Sequence, residues 1–252
     1  MSETFITDFT GRRATLVLKR PERRNALRQA DLAPLTAALE AAAARPEIRV
    51  LVLTGTGDKA FCAGADLDEV ARGEFKQAAL DRLAQTLEDL PVPTICAFNG
   101  GVFGGGLDLA MACDFRVGIR GMRCAVPPAK LGIHYSLAGM TRAVHRLGLG
   151  AAKRLFLAAE TFDDETLLKL QFLDYLVARE ALSETVDRLA DDIAALAPLA
   201  VRAMKRTLNA IARGEADPAA VRAEIERCWR SADFREALKA RAEGRAPVFE
   251  AR

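Results

Sequence analysis

Two short stretches concentrate the chemistry this sequence offers, and in both the reactive groups are backbone N–H donors. The first is Asn99-Gly100-Gly101-Val102-Phe103-Gly104-Gly105-Gly106-Leu107-Asp108. It follows an apolar run, Thr94-Ile95-Cys96-Ala97-Phe98, that reads as a buried strand. Five glycines within seven residues admit tight, left-handed backbone. Leu107, Leu109, Ala110 and Met111 then read as the start of a buried helix. A strand, Gly-rich turn and helix start present unpaired N–H groups and the positive end of a dipole, which together hold an anion. That anion is either a bound phosphate or an oxygen that turns negative only in a transition state. The phosphate motifs fail on spacing: no Gly triplet falls at i, i+2 and i+5, and Leu107 stands where a P-loop needs Lys. The bland alternative is a turn whose glycines only let a helix pack close to a sheet.

The second stretch, Phe61-Cys62-Ala63-Gly64-Ala65-Asp66-Leu67, follows another strand candidate, Val50-Leu51-Val52-Leu53-Thr54. Two turns after two strands can each aim one N–H at the same oxygen. Together they resemble the crotonase (enoyl-CoA hydratase/isomerase) superfamily, from Arg20-Pro21 to Pro247-Val248-Phe249. There, Phe-x-Ala-Gly-Ala-Asp and a later Gly-Gly-Gly turn form an oxyanion hole for an acyl-CoA thioester. The resemblance implies that Ala65 and Gly105 carry the two donor N–H groups. It implies an acyl-CoA substrate contacted along Arg24, Ala26, Ala63, Ala65, Asp66, Leu67 and Gly105, with Arg23 beside Arg24 for phosphate, and Arg245 or Phe249 as further candidates. No cofactor is required beyond the coenzyme A of the substrate.

An oxyanion hole serves hydration, isomerisation, decarboxylation and hydrolysis alike, so the remaining side chains decide the reaction. Asp108 stands at the first of two hydratase glutamates, one methylene shorter, as a candidate base; otherwise it is a helix-N-terminal Asp that favours the dipole. The second glutamate position falls on Pro128, which cannot transfer a proton and argues against ordinary hydration. Lys130 reads as a solvated surface residue. Ile133-His134-Tyr135-Ser136-Leu137-Ala138-Gly139 resembles the matching loop of methylmalonyl-CoA decarboxylase, a member of the same superfamily, whose tyrosine aligns with Tyr135. A phenol there can orient a departing carboxylate or return a proton to the enolate. The histidine that relative carries after its Ala-Gly is replaced here by Ala65. His134 reads equally as a solvent-facing or a site residue, His145 as a surface residue, and Cys62 as a small buried hydrophobe. Three functions stay open: an enzyme of the enoyl-CoA hydratase/isomerase type, a malonyl-type acyl-CoA decarboxylase using Tyr135, and a non-catalytic acyl-CoA-binding subunit. A Rossmann oxidoreductase is already weakened by the missing Gly spacing.

The elements that must position these residues are legible in the pattern. Strands are expected at 14–19, 50–54, 94–98, 115–119 and 124–126. A helix capped by Asp31 carries Leu32, Leu35, Ala38, Leu39 and Ala42 and ends at Pro46. A second helix spans 75–90, stopped by Pro91-Val92-Pro93, and helical stretches run from the 131–136 loop to about residue 158. Beyond residue 180 only helices are expected, at 182–196, 199–212, 218–230 and 232–243, with caps at Asp217-Pro218 and Ser231. Strands alternating with helices indicate an α/β fold. The resemblance refines this to a crotonase-like spiral of β-β-α turns over 1–195 that holds the acyl-CoA site. A C-terminal all-helical oligomerisation region follows over 196–252, implying a homotrimer or dimer of trimers.

Composition sets the outer bounds. A chain of 252 residues, half apolar and 28% charged, can bury a sizeable core. A net charge of +2 from 36 basic and 34 acidic residues gives no basis for a nucleic-acid or membrane partner. Five cysteines without CxxC spacing, an N-terminus without a signal-peptide pattern and the lack of a membrane-length apolar run predict a cytosolic protein with reduced thiols.

Overall fold

The computed structural model describes residues 4–251. The chain opens with a hairpin, β1 (Phe5–Thr10) against β2 (Arg13–Leu18), paired antiparallel from Phe5↔Leu18 to Thr10↔Arg13. β1 is absent from the expected strands because its exposed half, Asp8-Phe9-Thr10, carries no buried alternation for a pattern to reveal. A single 3-10 turn (Pro21–Arg23) leads to α1 (Gln29–Ala44). Asp31 does not cap this helix from outside: it lies in the first turn, where its Oδ2 accepts the Arg28 N–H at 3.0 Å, the reciprocal half of a capping box.

The spiral then repeats one unit. β3 (Val50–Gly55) and β4 (Ala60–Cys62) precede α2 (Leu67–Ala71) and α3 (Gln77–Asp89). β5 (Thr94–Ala97) and β6 (Gly101–Phe103) precede α4 (Gly105–Ala112). β7 (Phe115–Ile119) and β8 (Arg123–Ala125) precede α5 (Leu137–Phe156), which bends at Gly148. β9 (Thr161–Asp163), α6 (Asp164–Lys169) and β10 (Tyr175–Val177) close the spiral. The first strand of each unit joins a sheet ordered β1-β2-β3-β5-β7-β10, and the second joins a smaller sheet ordered β4-β6-β8-β9. Beyond the hairpin the large sheet is parallel.

Both faces of the large sheet are covered, which is why its strands read as continuous apolar runs. Successive side chains alternate between faces. Leu51, Leu53, Cys96 and Phe98 join the main core with Leu107 and Leu109 of α4. Val50, Val52, Ile95, Ala97 and Val117 instead pack on α7 (Leu182–Ala194) through Val186, Ala190, Ile193 and Ala194. Three further helices follow: α8 (Pro198–Arg213), α9 (Pro218–Arg230) and α10 (Ala232–Glu243). Asp217 and Ser231 cap α9 and α10 as expected, accepting the Ala219 and Phe234 N–H groups. The buried Lys205 of α8 donates to the Val92 carbonyl (2.9 Å) and pairs with Asp114 (2.7 Å), tying the helical segment to the strand entry at Thr94. Among the described residues, no helix is long and apolar enough to cross a membrane.

Candidate active site

β4 and β6 are parallel neighbours, with Ala60 opposite Gly101 and Cys62 opposite Val102, so the chain leaves both strands on the same side. The two turns that follow are in contact. Gly64 has φ +83°, and a Cβ placed on it would lie 2.4 Å from the Gly105 nitrogen. A Cβ on Gly106 would meet the Cys62 carbonyl oxygen at 2.5 Å. Gly104 holds φ +50° and ψ −130° at the entry to α4, with its N–H on the Ala125 carbonyl at 3.0 Å. The glycines are thus required both for the left-handed turns and for the close approach between them.

The N–H groups of Ala65 and Gly105 are left unused by the fold. Leu27 pairs with Ala65 as an isolated parallel bridge: its N–H donates to the Gly64 carbonyl and its carbonyl accepts from Asp66, each at 2.8 Å. That pattern bypasses the Ala65 N–H. The Gly105 N–H is the first of α4 and precedes the helical ladder. Among the described residues neither N–H has a hydrogen-bond acceptor, and they belong to turns in contact.

Two buried asparagines brace the turns, a role not assigned to either from the sequence, although Asn25 lies in the stretch expected to meet coenzyme A and Asn99 opens the Gly-rich stretch. Asn25, in left-handed backbone (φ +55°), accepts the Arg20 N–H and donates to the Thr56 and Ala60 carbonyls, each at 2.9 Å. Asn99 accepts the Gly55 N–H (3.1 Å) and donates to Gly57 (2.9 Å) and Ala60 (3.1 Å). The available signal was the tolerance of Asn for φ > 0 at Asn25; these carbonyls lie 31–42 residues away in sequence from the side chains that donate to them. Cys62 is packed beneath the same turn. Its thiol sits 3.2 Å from the Asn25 carbonyl and 3.3 Å from the Gly64 N–H, and burial pushes it up to about 12, so it is an inert packing residue.

Asp108, one turn into α4, is completely buried. Its Oδ1 accepts from Arg142 Nη1 at 2.9 Å, while Oδ2 has no partner among the described residues. Burial raises the carboxyl above its ordinary range, and Asp81 and Glu88 add to this against the opposing charge of Arg142. Arg142 was not among the predicted site residues. Its signal is helical spacing: Gly139, Arg142 and Ala143 form the buried face of α5.

Tyr135 is brought to the same place. Its hydroxyl donates to the Gly104 carbonyl at 3.2 Å, its ring lies 4.9 Å from that of Phe156, and Gly139 makes room for it. Burial first, and the Asp108 charge next, lift the phenol well above its usual range. His134 is exposed and, among the described residues, engages only the Tyr135 carbonyl; Lys130 and His145 are exposed.

Several of the residues expected to meet coenzyme A are tied to the first turn by hydrogen bonds. Arg24 is exposed, and its carbonyl accepts the Ala63 N–H at 2.9 Å. The Ala26 carbonyl and the Asp66 carboxylate share Arg20 (2.8 and 3.3 Å), and Asp66 also caps α2, which gives it a structural task. Leu67 is 61% exposed. Arg23 pairs with Asp68 at 3.2 Å. At the other end of the chain, Arg245 is held by Glu236 (2.5 and 3.0 Å) and Glu243 (2.6 Å), and Phe249 is buried.

Comparison with known proteins accords with this geometry. The sequence model for Enoyl-CoA hydratase/isomerase matches residues 13–252. The chain is 35% identical over 242 residues to the probable enoyl-CoA hydratase echA6 of Mycobacterium bovis, covering 94% of this chain and 95% of that one. It is 34% identical over 256 residues to the enoyl-CoA isomerase/hydratase fer4 of Mycosarcoma maydis (93% and 91% covered). The crystal structure of a putative enoyl-CoA hydratase/isomerase family protein from Hyphomonas neptunium superposes with a TM-score of 0.92 at 29% identity, covering 99% of this chain and 98% of that one. These likenesses run through the paired turns and almost the whole length, and by them the chain belongs to the enoyl-CoA hydratase/isomerase, or crotonase, superfamily.

Proposed function

We propose that this protein moves the double bond of an enoyl-CoA, with Asp108 as its single proton-transfer group. The observation that carries the reading is Asp108, a fully buried carboxylate whose Oδ2 has no partner among the described residues, where Pro128 stands in the place of a second carboxylate. Hydration calls for two groups to place and activate water. Isomerisation needs one base that takes a proton and returns it elsewhere. Asp108 removes the C2 proton of a 3-enoyl-CoA, and the C–H electron pair flows into the thioester. The oxygen turns negative and is met by the N–H groups of Ala65 and Gly105, at roughly 3 kcal/mol per donor. The proton then returns at C4, giving the 2-enoyl-CoA with no change in mass. A carboxyl raised by burial suits this task, because a stronger base takes a weakly acidic C–H proton more readily. The exposed guanidinium of Arg24, which makes no ion pair among the described residues, suits a coenzyme A phosphate.

The test is to incubate purified protein with a 3-enoyl-CoA and follow the 2-enoyl product by chromatography. Wild-type turnover that Asp108→Asn abolishes, with coenzyme A binding intact, supports this reading and rejects a non-catalytic binding subunit. Water addition to crotonyl-CoA at a higher rate would overturn it in favour of hydration. A second reading is decarboxylation, supported by the place of Tyr135 beside the second turn, where its hydroxyl donates to the Gly104 carbonyl; that bond also suits a residue that only fills the acyl pocket. Decarboxylation requires CO₂ release from methylmalonyl-CoA that Tyr135→Phe abolishes.

On the same footing, residues 1–195 are taken as the spiral that houses the site and 196–252 as the region through which subunits associate into a trimer or dimer of trimers. The exposed apolar side chains Met204, Leu208 and Ile211 of α8 and Ile225 and Trp229 of α9 support that assignment. Light scattering of the purified chain tests it, and a monomer would rule it out.

A further inference from the structure

Asp108 is one end of a line of alternating charges that runs outward to the surface. Arg142 Nη1 holds Asp108 Oδ1 at 2.9 Å, and Arg142 Nε holds Glu88 Oε2 at 3.0 Å. Glu88 Oε1 lies 3.6 Å from Arg213 of α8, whose guanidinium also pairs with Asp89 at 2.5 Å. The side chains along this line are 0, 6, 18, 28 and 48% exposed, so each charge is better solvated than the one inside it. Gln85 completes the hold on Arg142, accepting from Nη2 at 3.2 Å. All three nitrogens of the guanidinium are therefore engaged, and among the described residues Oδ2 of the Asp108 carboxylate has no partner.

We propose that Arg142, fixed from behind by Glu88 and Gln85, is the positioning residue that presents Asp108 with a single reactive oxygen and sets its proton affinity. The proposal rests on the reading of Asp108 as the base. Burying an ionised carboxylate alone is costly, and one cation at hydrogen-bond distance restores it as an acceptor. A cation facing Asp108 lowers the proton affinity of its carboxylate. Glu88 draws on the same guanidinium and moderates it. The charged or titratable groups facing Asp108 are Arg142 from α5, Asp81 and Glu88 from α3, and the neutral phenol of Tyr135.

Arg142 and Glu88 therefore act on Asp108 with opposite sign, and the pH dependence of turnover follows those shifts only where Asp108 is the base, which a purely structural role would not produce. The experiment is a ¹³C-carboxyl NMR titration of the full-length protein labelled in aspartate, with Asp108→Asn identifying the resonance. Arg142→Gln moves the Asp108 titration upward by roughly one to three pH units, the scale set by an opposite charge at this distance. Glu88→Gln moves it downward, and because Glu88 is part-exposed this variant carries the test even if Arg142→Gln does not fold. The low-pH limb of kcat/KM on a 3-enoyl-CoA moves in the same two directions. Arg142→Lys, which keeps the charge and loses the fork, titrates near wild type with a lowered kcat. Shifts of the same sign in both variants, or an unmoved resonance, overturn the positioning role. Full isomerase turnover in Asp108→Asn overturns the underlying base assignment instead and leaves the titration result standing.

Discussion

Replacing Gly64 by alanine tests the claim that the two turns form one oxyanion hole. The new Cβ would lie 2.4 Å from the Gly105 nitrogen and 3.1 Å from both Gly105 Cα and the Phe103 carbonyl. Ordinary contact begins at 3.4 Å, so the backbone of one turn must retreat by about 1 Å along that line. These are main-chain atoms at a helix start, so no side-chain rotation relieves the contact. A misplacement of about 1 Å costs on the order of 100-fold in rate, and complete loss of one oxyanion donor costs ~100- to 1,000-fold. Stability falls as well, by about 1–2 kcal/mol for a Cβ in left-handed backbone, before any cost of the clash. Gly73→Ala is the control: φ there is +71°, yet nothing lies within 4 Å of the added carbon. It shares the backbone strain without touching the site. The assay is exchange of the C2 protons of a saturated acyl-CoA in D₂O, read by mass spectrometry, because exchange needs only base and oxyanion hole. Gly64→Ala should exchange at least 100-fold more slowly than Gly73→Ala with coenzyme A affinity nearly unchanged. A folded Gly64→Ala protein exchanging within threefold of that control would show that the Gly105 N–H is not a donor to the substrate oxygen.

Three other outcomes follow from single residues. Asn99→Ala leaves the Gly57 carbonyl and the Gly55 N–H without their Asn99 partner, and the Ala60 carbonyl with Asn25 alone, and should cost about 2–4 kcal/mol, read from a urea unfolding midpoint. Burial pushes the Asp31 carboxyl up, but the Arg28 side chain and N–H and the Thr4 hydroxyl outweigh it and hold it below its ordinary 3.8. A carboxylate lowered by folding adds stability above its unfolded value, and that stability is lost as pH falls through the folded value. Asp31→Asn should therefore cost about 1–2 kcal/mol at neutral pH, a difference that starts to close as pH falls below the unfolded value and is lost through the lower folded value; a pH-independent difference would contradict the ion-pair account. Iodoacetamide at roughly pH 8 should label only Cys228 in the native protein, because Cys62, Cys96, Cys113 and Cys124 are buried, with Cys62 and Cys124 pushed up to about 12. Labelling of Cys62 before unfolding, seen by peptide mapping, would mean that the first turn opens.

The parts legible from the amino acids alone are those set by local chemistry. Gly64 and Gly104 announce left-handed turns because few other residues adopt them, and the apolar runs before them announce buried strands. The C-terminal helices were readable to within a residue or two because their apolar spacing, and the caps at Asp217 and Ser231, act over a single turn. Strands β6, β9 and β10, three residues each, are too short to carry an alternation, and their partners in the sheet define them instead. Asp108 could be singled out by its place after the glycines, but its state could not. Whether it is a solvated helix-cap charge or a buried acceptor depends on Arg142, 34 residues away, and on Glu88 behind that arginine. The same holds for Asn25 and Asn99, which meet on the Ala60 carbonyl from different loops. Backbone conformation is decided by neighbours in sequence. Proton affinity and the approach of one turn to another are decided by burial and charge brought together across the chain, and only tertiary packing determines those.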